Sequence, residues 1–174
     1  MPKRLPDTAV LATARKYLGQ KEIKGPHHNP HVLKWWKSIG APFKDDETPW
    51  CGAFVGGVLA EVGIKPVASG ASARAWLKLP VKIDKPAVGC VVVFWRGSKN
   101  GASGHVGFVV GKDQKGNLMV LGGNQSDAIN IKPFAMSGPN DRVLGYRWPG
   151  FHPYPERFDL PIVTSDGKLS TNEA

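Results

Sequence analysis

The sequence predicts an α+β fold, with N-terminal helices packed on an antiparallel β-sheet of about five to six strands. Two observations carry this. Apolar residues recur at helical spacing up to about residue 62, and from residue 88 they fall into short apolar or alternating runs bounded by turn residues. The 174-residue chain also holds 21 glycines and 15 prolines, which favours turns and close backbone approaches over a helical bundle.

The elements follow in order. Asp7 can cap a helix over residues 8–18, with Val10, Leu11, Ala14, Tyr17 and Leu18 on one face and Gly19 as its stop. A polar loop over residues 21–29 leads to a helix over 30–39 carrying Val32, Leu33, Trp36 and Ile39. Residues 41–49 form an acidic loop. Thr48 then suits the N-cap and Pro49 the first position of a third helix, over 49–62. Its stripe is Phe54, Val55, Val58, Leu59 and Val62. Gly56 and Gly57 lie inside it at about 1 kcal/mol each, a cost that close packing against a sheet would offset. A short helix near 71–77 follows.

Residues 88–95 form a continuous apolar run, the pattern of a strand buried on both faces. Residues 105–111 and 118–121 flank a turn-like hexapeptide, and strands near 128–134 and 142–148 complete the sheet. Residues 1–150 read as one domain without internal repeats. Residues 151–174, with Pro153, Pro155 and Pro161, read as a wrapped or disordered tail.

The net charge is +9 and the pI about 9.7. Such a balance points to a polyanionic partner or to a basic solvated surface; the cations are scattered and form no run of five. No stretch approaches a membrane span, and the six-residue apolar stretch before Arg15 is too short for a signal core. Synthesis in the cytoplasm is the expectation. Two cysteines make no disulfide framework; a single Cys51–Cys90 bridge stays open, but Cys90 sits in an apolar run where a buried thiol is the default.

Chemistry concentrates in three places. With Thr48 as cap, Cys51 falls in the first helical turn, where free N–H groups and the positive helix end favour thiolate. His105 opens a strand. If the hairpin is symmetric about Gln114 and Lys115, Gly111 pairs with Leu118, Val109 with Val120, Gly107 with Gly122 and His105 with Asn124. Directly opposed side chains lie about 4.5–5.5 Å apart at Cβ, so Asn124 could hold the imidazole while its other nitrogen faces Cys51. A cysteine, a histidine and an amide so arranged are the skeleton of a thiol hydrolase. A buried structural cysteine, a strand-end histidine and a turn asparagine are the plainer alternative, and a one-residue slip would break the pairing.

Other candidates weigh less. Trp50 could wall a cleft, and Asp46 and Glu47 could bind a substrate amine or be a solvated acidic loop. Gln125 is a possible oxyanion contributor beside the Cys51 N–H. His27, His28 and His31 lack the partners of a tetrahedral site, so no metal is expected.

The segments DETPWCGAFV (46–55), SARAWL (72–77), GHVGFVVG (104–111) and LGGNQSDAINI (121–131) together resemble the CHAP-like cysteine hydrolases of phage lysins and bacterial cell-wall enzymes, within the NlpC and papain-like group. KEIKGPHHNP (21–30) is similar to a segment preceding the catalytic core in a phage-associated branch. The resemblance covers residues 7–148. It implies a papain-like fold, no cofactor, and hydrolysis of an amide in the peptide part of peptidoglycan, by an endopeptidase or N-acetylmuramoyl-L-alanine amidase. Cys51 would be the nucleophile, His105 the base and acid, and Asn124 the orienting residue. Many members carry Glu or Gln near the third position or beside the cysteine, where this chain has Gly122 and Trp50.

The expectation is therefore a monomeric phage endolysin acting on bacterial peptidoglycan after release into the periplasm or wall, with neither a nucleic-acid partner nor a membrane span. Two rivals stand beside it. One is a cysteine peptidase or amidase used as an antibacterial toxin or on soluble peptides. The other is a non-enzymatic basic module binding wall polymer or nucleic acid.

Overall fold

The computed structural model describes residues 7–164. The remaining residues of the expected domain and tail, 1–6 and 165–174, lie outside that range. Three helices, α1 (Ala9–Arg15), α2 (Pro30–Ser38) and α3 (Cys51–Glu61), precede a six-stranded antiparallel sheet. A 3-10 helix, Ala73–Lys78, lies between. The strands are β1 (Val81–Ile83), β2 (Val91–Trp95), β3 (Gly104–Lys112), β4 (Leu118–Gly122), β5 (Asn130–Phe134) and β6 (Val143–Trp148), in the order β1-β6-β2-β3-β4-β5. The fold is α+β with helices packed on the sheet, as the change of periodicity predicts.

Each face of the sheet buries its own cluster. Val91, Val93, Val106, Phe108, Met119 and Leu121 pack beneath the helices. Cys90, Val92, Phe94, Val109, Val120 and Phe134 form a second cluster on the opposite face. The segment after β6 reaches this second layer through Phe158 and Leu160. It is tied there by the Val88 N–H to the Arg157 carbonyl at 2.7 Å and by the Lys112 N–H to the Pro161 carbonyl at 2.9 Å.

Several local expectations change. The first cap is Thr8, whose hydroxyl accepts from Leu11 N–H; Asp7 instead pairs with Arg15 at 2.7 Å. Gly19 does end that region, with φ +91°. Thr48 does not cap α3, because its N–H and hydroxyl both donate to the Asp45 carboxylate, at 2.6 and 3.2 Å. The helix therefore starts at Cys51, with Trp50 as an N-cap residue making no side-chain bond.

Nor is α3 a one-sided helix: Cys51 to Leu59 are all buried. Its two glycines meet helix and aromatic surface rather than sheet. A Cβ on Gly57 would enter the Trp35 indole, and one on Gly56 would strike Ile39 and come within 3.2 Å of Trp76. The offset for their low helix propensity is the close seat of α2 on α3.

Candidate active site

Cys51 is the first residue of α3, two positions nearer the helix end than Thr48 capping would place it. It is buried, and both cysteines are free. Cys90 lies in the opposite core cluster, which separates the two thiols by the sheet. The N–H groups of Val106, Gly52 and Cys51 itself lie near enough to Sγ to favour its ionised form. Burial pushes the Cys51 thiol up, and those N–H groups and the Arg96 guanidinium oppose it.

The Val106 N–H is available for a structural reason. The pairing of β3 with β4 runs from Lys112–Leu118 to Phe108–Leu121. Beyond that point the N–H of β3 meets the sulfur at the start of α3. The thiol thus sits against β3 one residue from His105.

His105 is fully buried on the far face of the sheet. Its ring stacks between Phe134 and Phe94, with centroids 5.6 and 6.2 Å away. Its Nε2 lies 3.0 Å from Gln125 Oε1, and its Nδ1 has no hydrogen-bond partner among the described residues. A buried polar atom left empty costs about 1–3 kcal/mol, so this nitrogen is a place to look for chemistry. Burial, aided by Arg96 and opposed by Gln125, brings the imidazole down to about 4. At neutral pH the two groups are thus a neutral thiol and a neutral imidazole.

The expected His105–Asn124 pairing is not found. A bulge between Val109 and Gly111 replaces the expected Gly111–Leu118 pair with Lys112–Leu118 and Gly111–Met119, while Val109 pairs with Val120 as expected. β4 then ends at Gly122, and Asn124 turns left-handed at φ +57°. The extended run that would have carried Asn124 opposite His105 stops two residues early. Asn124 is buried, but the amide that reaches the imidazole belongs to Gln125. Gln125 is therefore bound to the imidazole, not presented to substrate.

The other candidates are placed differently from one another. Trp50 is fully buried, 6.1 Å from Trp35, and a Cβ on Gly123 would lie 2.9 Å from its ring, so it is core rather than cleft wall. Asp46 is fully buried too. Its carboxylate accepts from Ile23 N–H at 2.7 Å, Asn29 N–H at 2.8 Å and His28 Nδ1 at 3.0 Å. Burial alone would raise this carboxyl; those donors outweigh it and hold it below the usual carboxylate range. Asp46 fastens the residue 23–29 loop to the approach to Cys51 and faces no substrate. Glu47 is exposed. Among the described residues no group of three or more His, Cys, Asp or Glu could hold a metal.

Two arginines escaped sequence reasoning. Arg96 acts on both Cys51 and His105, easing ionisation of the thiol and opposing protonation of the imidazole. Arg74 binds the β2–β3 loop through the carbonyls of Ser103, Lys99 and Ser98 at 2.8, 2.7 and 2.6 Å, fixing the entry to His105. A lone arginine in a helical pattern gives no signal of this; only the SARAWL segment drew notice.

A cysteine opens α3 and a histidine lies at the start of β3, on an α+β frame. The CHAP domain model matches residues 43–124, from the acidic loop to Asn124. CHAP domains are generally hydrolases acting on peptidoglycan, as amidases or endopeptidases, so the domain implies a peptidoglycan substrate. The matched stretch is shorter than the 7–148 span of the resemblance and stops one residue before Gln125. No curated protein matches the chain. Among the described residues no helix is long and apolar enough to cross a membrane.

Proposed function

We propose that the protein hydrolyses an amide bond in the peptide part of peptidoglycan by a thiol mechanism, with Cys51 as nucleophile and His105 as base and then acid. The observation that carries this reading is Cys51 at a helix start, near the N–H of Val106, which follows His105 in β3, together with an imidazole whose Nε2 is engaged and whose Nδ1 has no partner among the described residues.

His105 Nδ1 takes the thiol proton as Sγ attacks the amide carbonyl. The reading requires Sγ and Nδ1 to come within hydrogen-bond reach in the substrate complex. The carbonyl oxygen becomes an oxyanion, which the Cys51 N–H would receive. The imidazolium gives its proton to the leaving amine, which departs and leaves a thioester. Water, deprotonated by His105, then attacks the thioester and restores the thiol. Arg96 stabilises thiolate over thiol and returns the imidazole to its neutral form.

The formal charge of +9 would hold the enzyme on an anionic wall. A phage endolysin, released from the host cytoplasm to the wall and working as a monomer, is the setting this reading favours. Purified peptidoglycan tests it. The wild-type chain should lower turbidity and release new amino groups, and Cys51→Ala should do neither while keeping its melting temperature. Mass analysis of the fragments names the bond. Equal activity of the two proteins would remove Cys51 from the mechanism.

A further inference from the structure

We infer that Gln125, locked in place by Asn130, is the positioning residue for His105, and that it holds the imidazole as the Nε2–H tautomer with the lone pair on Nδ1. The inference rests on the proposed pairing of Cys51 with His105 for its catalytic meaning, but the tautomer itself follows from hydrogen bonding alone.

The chain of assignment starts at a backbone carbonyl, which only accepts. Asn130 Nδ2 lies 2.8 Å from the Gln125 carbonyl, so the Asn130 amide must turn its nitrogen there. Its Oδ1 then faces Gln125 Nε2 at 2.9 Å. The same Gln125 nitrogen lies 3.0 Å from the Asn130 carbonyl and 3.3 Å from the Val120 carbonyl. Three acceptors around one atom require it to be the NH2 group, which leaves Gln125 Oε1 facing His105 Nε2 at 3.0 Å. An amide oxygen carries no hydrogen, so Nε2 donates. In the neutral ring Nδ1 is then the bare nitrogen, and it is the atom with no partner.

Two further features are arranged around this contact. Gly122 has no side chain because Gln125 occupies that space: a Cβ there would collide with Oε1 and lie 3.2 Å from His105 Nε2. Asn124, Ser126 and Asp127 all take left-handed φ, at 57°, 55° and 61°. Asn and Asp tolerate that region better than most residues, and the turn they make directs Gln125 inward. The Phe94 and Phe134 stacks fix the plane of the ring, and Gln125 fixes its rotation within that plane. A carboxamide does this without the negative charge that would favour imidazolium.

Nitrogen NMR of the His105 side chain in the wild-type protein at neutral pH gives the first reading. The Nε2–H form is expected, and a dominant Nδ1–H form would overturn the inference without any variant. Gln125→Ala and Gly122→Ala come next, each removing the contact from a different side. Both should mix the tautomers, slow alkylation of Cys51 by iodoacetamide, and lower kcat by at least about tenfold with KM little changed. Gln125→Glu should not rescue the tautomer, because it sets a carboxylate oxygen against the Val120 and Asn130 acceptors that the Gln125 NH2 now meets. Wild-type tautomer and kcat in a folded Gln125→Ala protein would refute the assignment. NMR and alkylation need no wall substrate, so failure of the peptidoglycan reading is seen separately, as a folded enzyme with an intact tautomer and no turnover.

Discussion

Replacing His105 with glutamine is expected to lower kcat/KM on peptidoglycan by about a hundred- to ten-thousand-fold, the usual range for a positioned acid–base group. The protein should stay folded, because glutamine is polar, of similar reach, and can still meet the Gln125 amide. The variant also tests the state of the ring. Burial, with Arg96, brings the His105 pKa to about 4 from an ordinary 6.5. The neutral form is the base, so activity carried by His105 should persist into mildly acid solution and fall as pH drops toward 4. The unfolded chain takes up the proton near 6.5, while the folded one resists it until about 4. Stability is therefore full above the unfolded value and is lost as pH falls through this window, by about 3 kcal/mol for a shift of this size. Urea unfolding of both proteins at neutral pH and near pH 4.5 measures the difference. The wild type should lose more stability than His105→Gln, and parallel losses would contradict a buried neutral imidazole.

Asp46→Ala should be the most destabilising of the loop substitutions, at about 3–5 kcal/mol. It strips the partners from two backbone N–H groups, those of Ile23 and Asn29, and from His28. A loss of that size lowers the melting temperature on the order of 10 °C in a chain of this length. Glu47→Ala, next in sequence but exposed, should change stability by less than about 0.5 kcal/mol. Thermal denaturation of the pair distinguishes a buried tie from a substrate contact. Equal, small shifts would mean that Asp46 is not the anchor of the residue 23–29 loop.

The contrast between Asp46 and Glu47 shows where sequence reading ends. Both belong to one acidic run, and composition alone makes them a solvated loop or a cleft lining. Which carboxylate turns inward depends on Ile23 and Asn29, far off in sequence, offering their N–H groups. The first two helices were legible as one-sided apolar stripes and the central strands as continuous apolar runs buried on both faces; β1, with three residues, is too short to display either. Cys51 and His105 were legible because an element start is marked by caps and turn residues. Their amide partner was not. The hairpin register is right at Val109–Val120, yet it stops at β4's end, where non-glycine residues adopt left-handed backbone. No local signal in Asn124-Gln125-Ser126-Asp127 announces three such residues. Gly122 was noticed as a departure from the family pattern, but its meaning, room for Gln125, needed the fold.

The most direct measurement on the proposed mechanism is to quench peptidoglycan digestion rapidly in acid and map the protein by mass spectrometry. The account predicts a wall-peptide fragment joined as a thioester to the peptide containing Cys51, released by hydroxylamine and lacking in Cys51→Ala. Active turnover with no adduct at Cys51, or with the adduct on another residue, would contradict it.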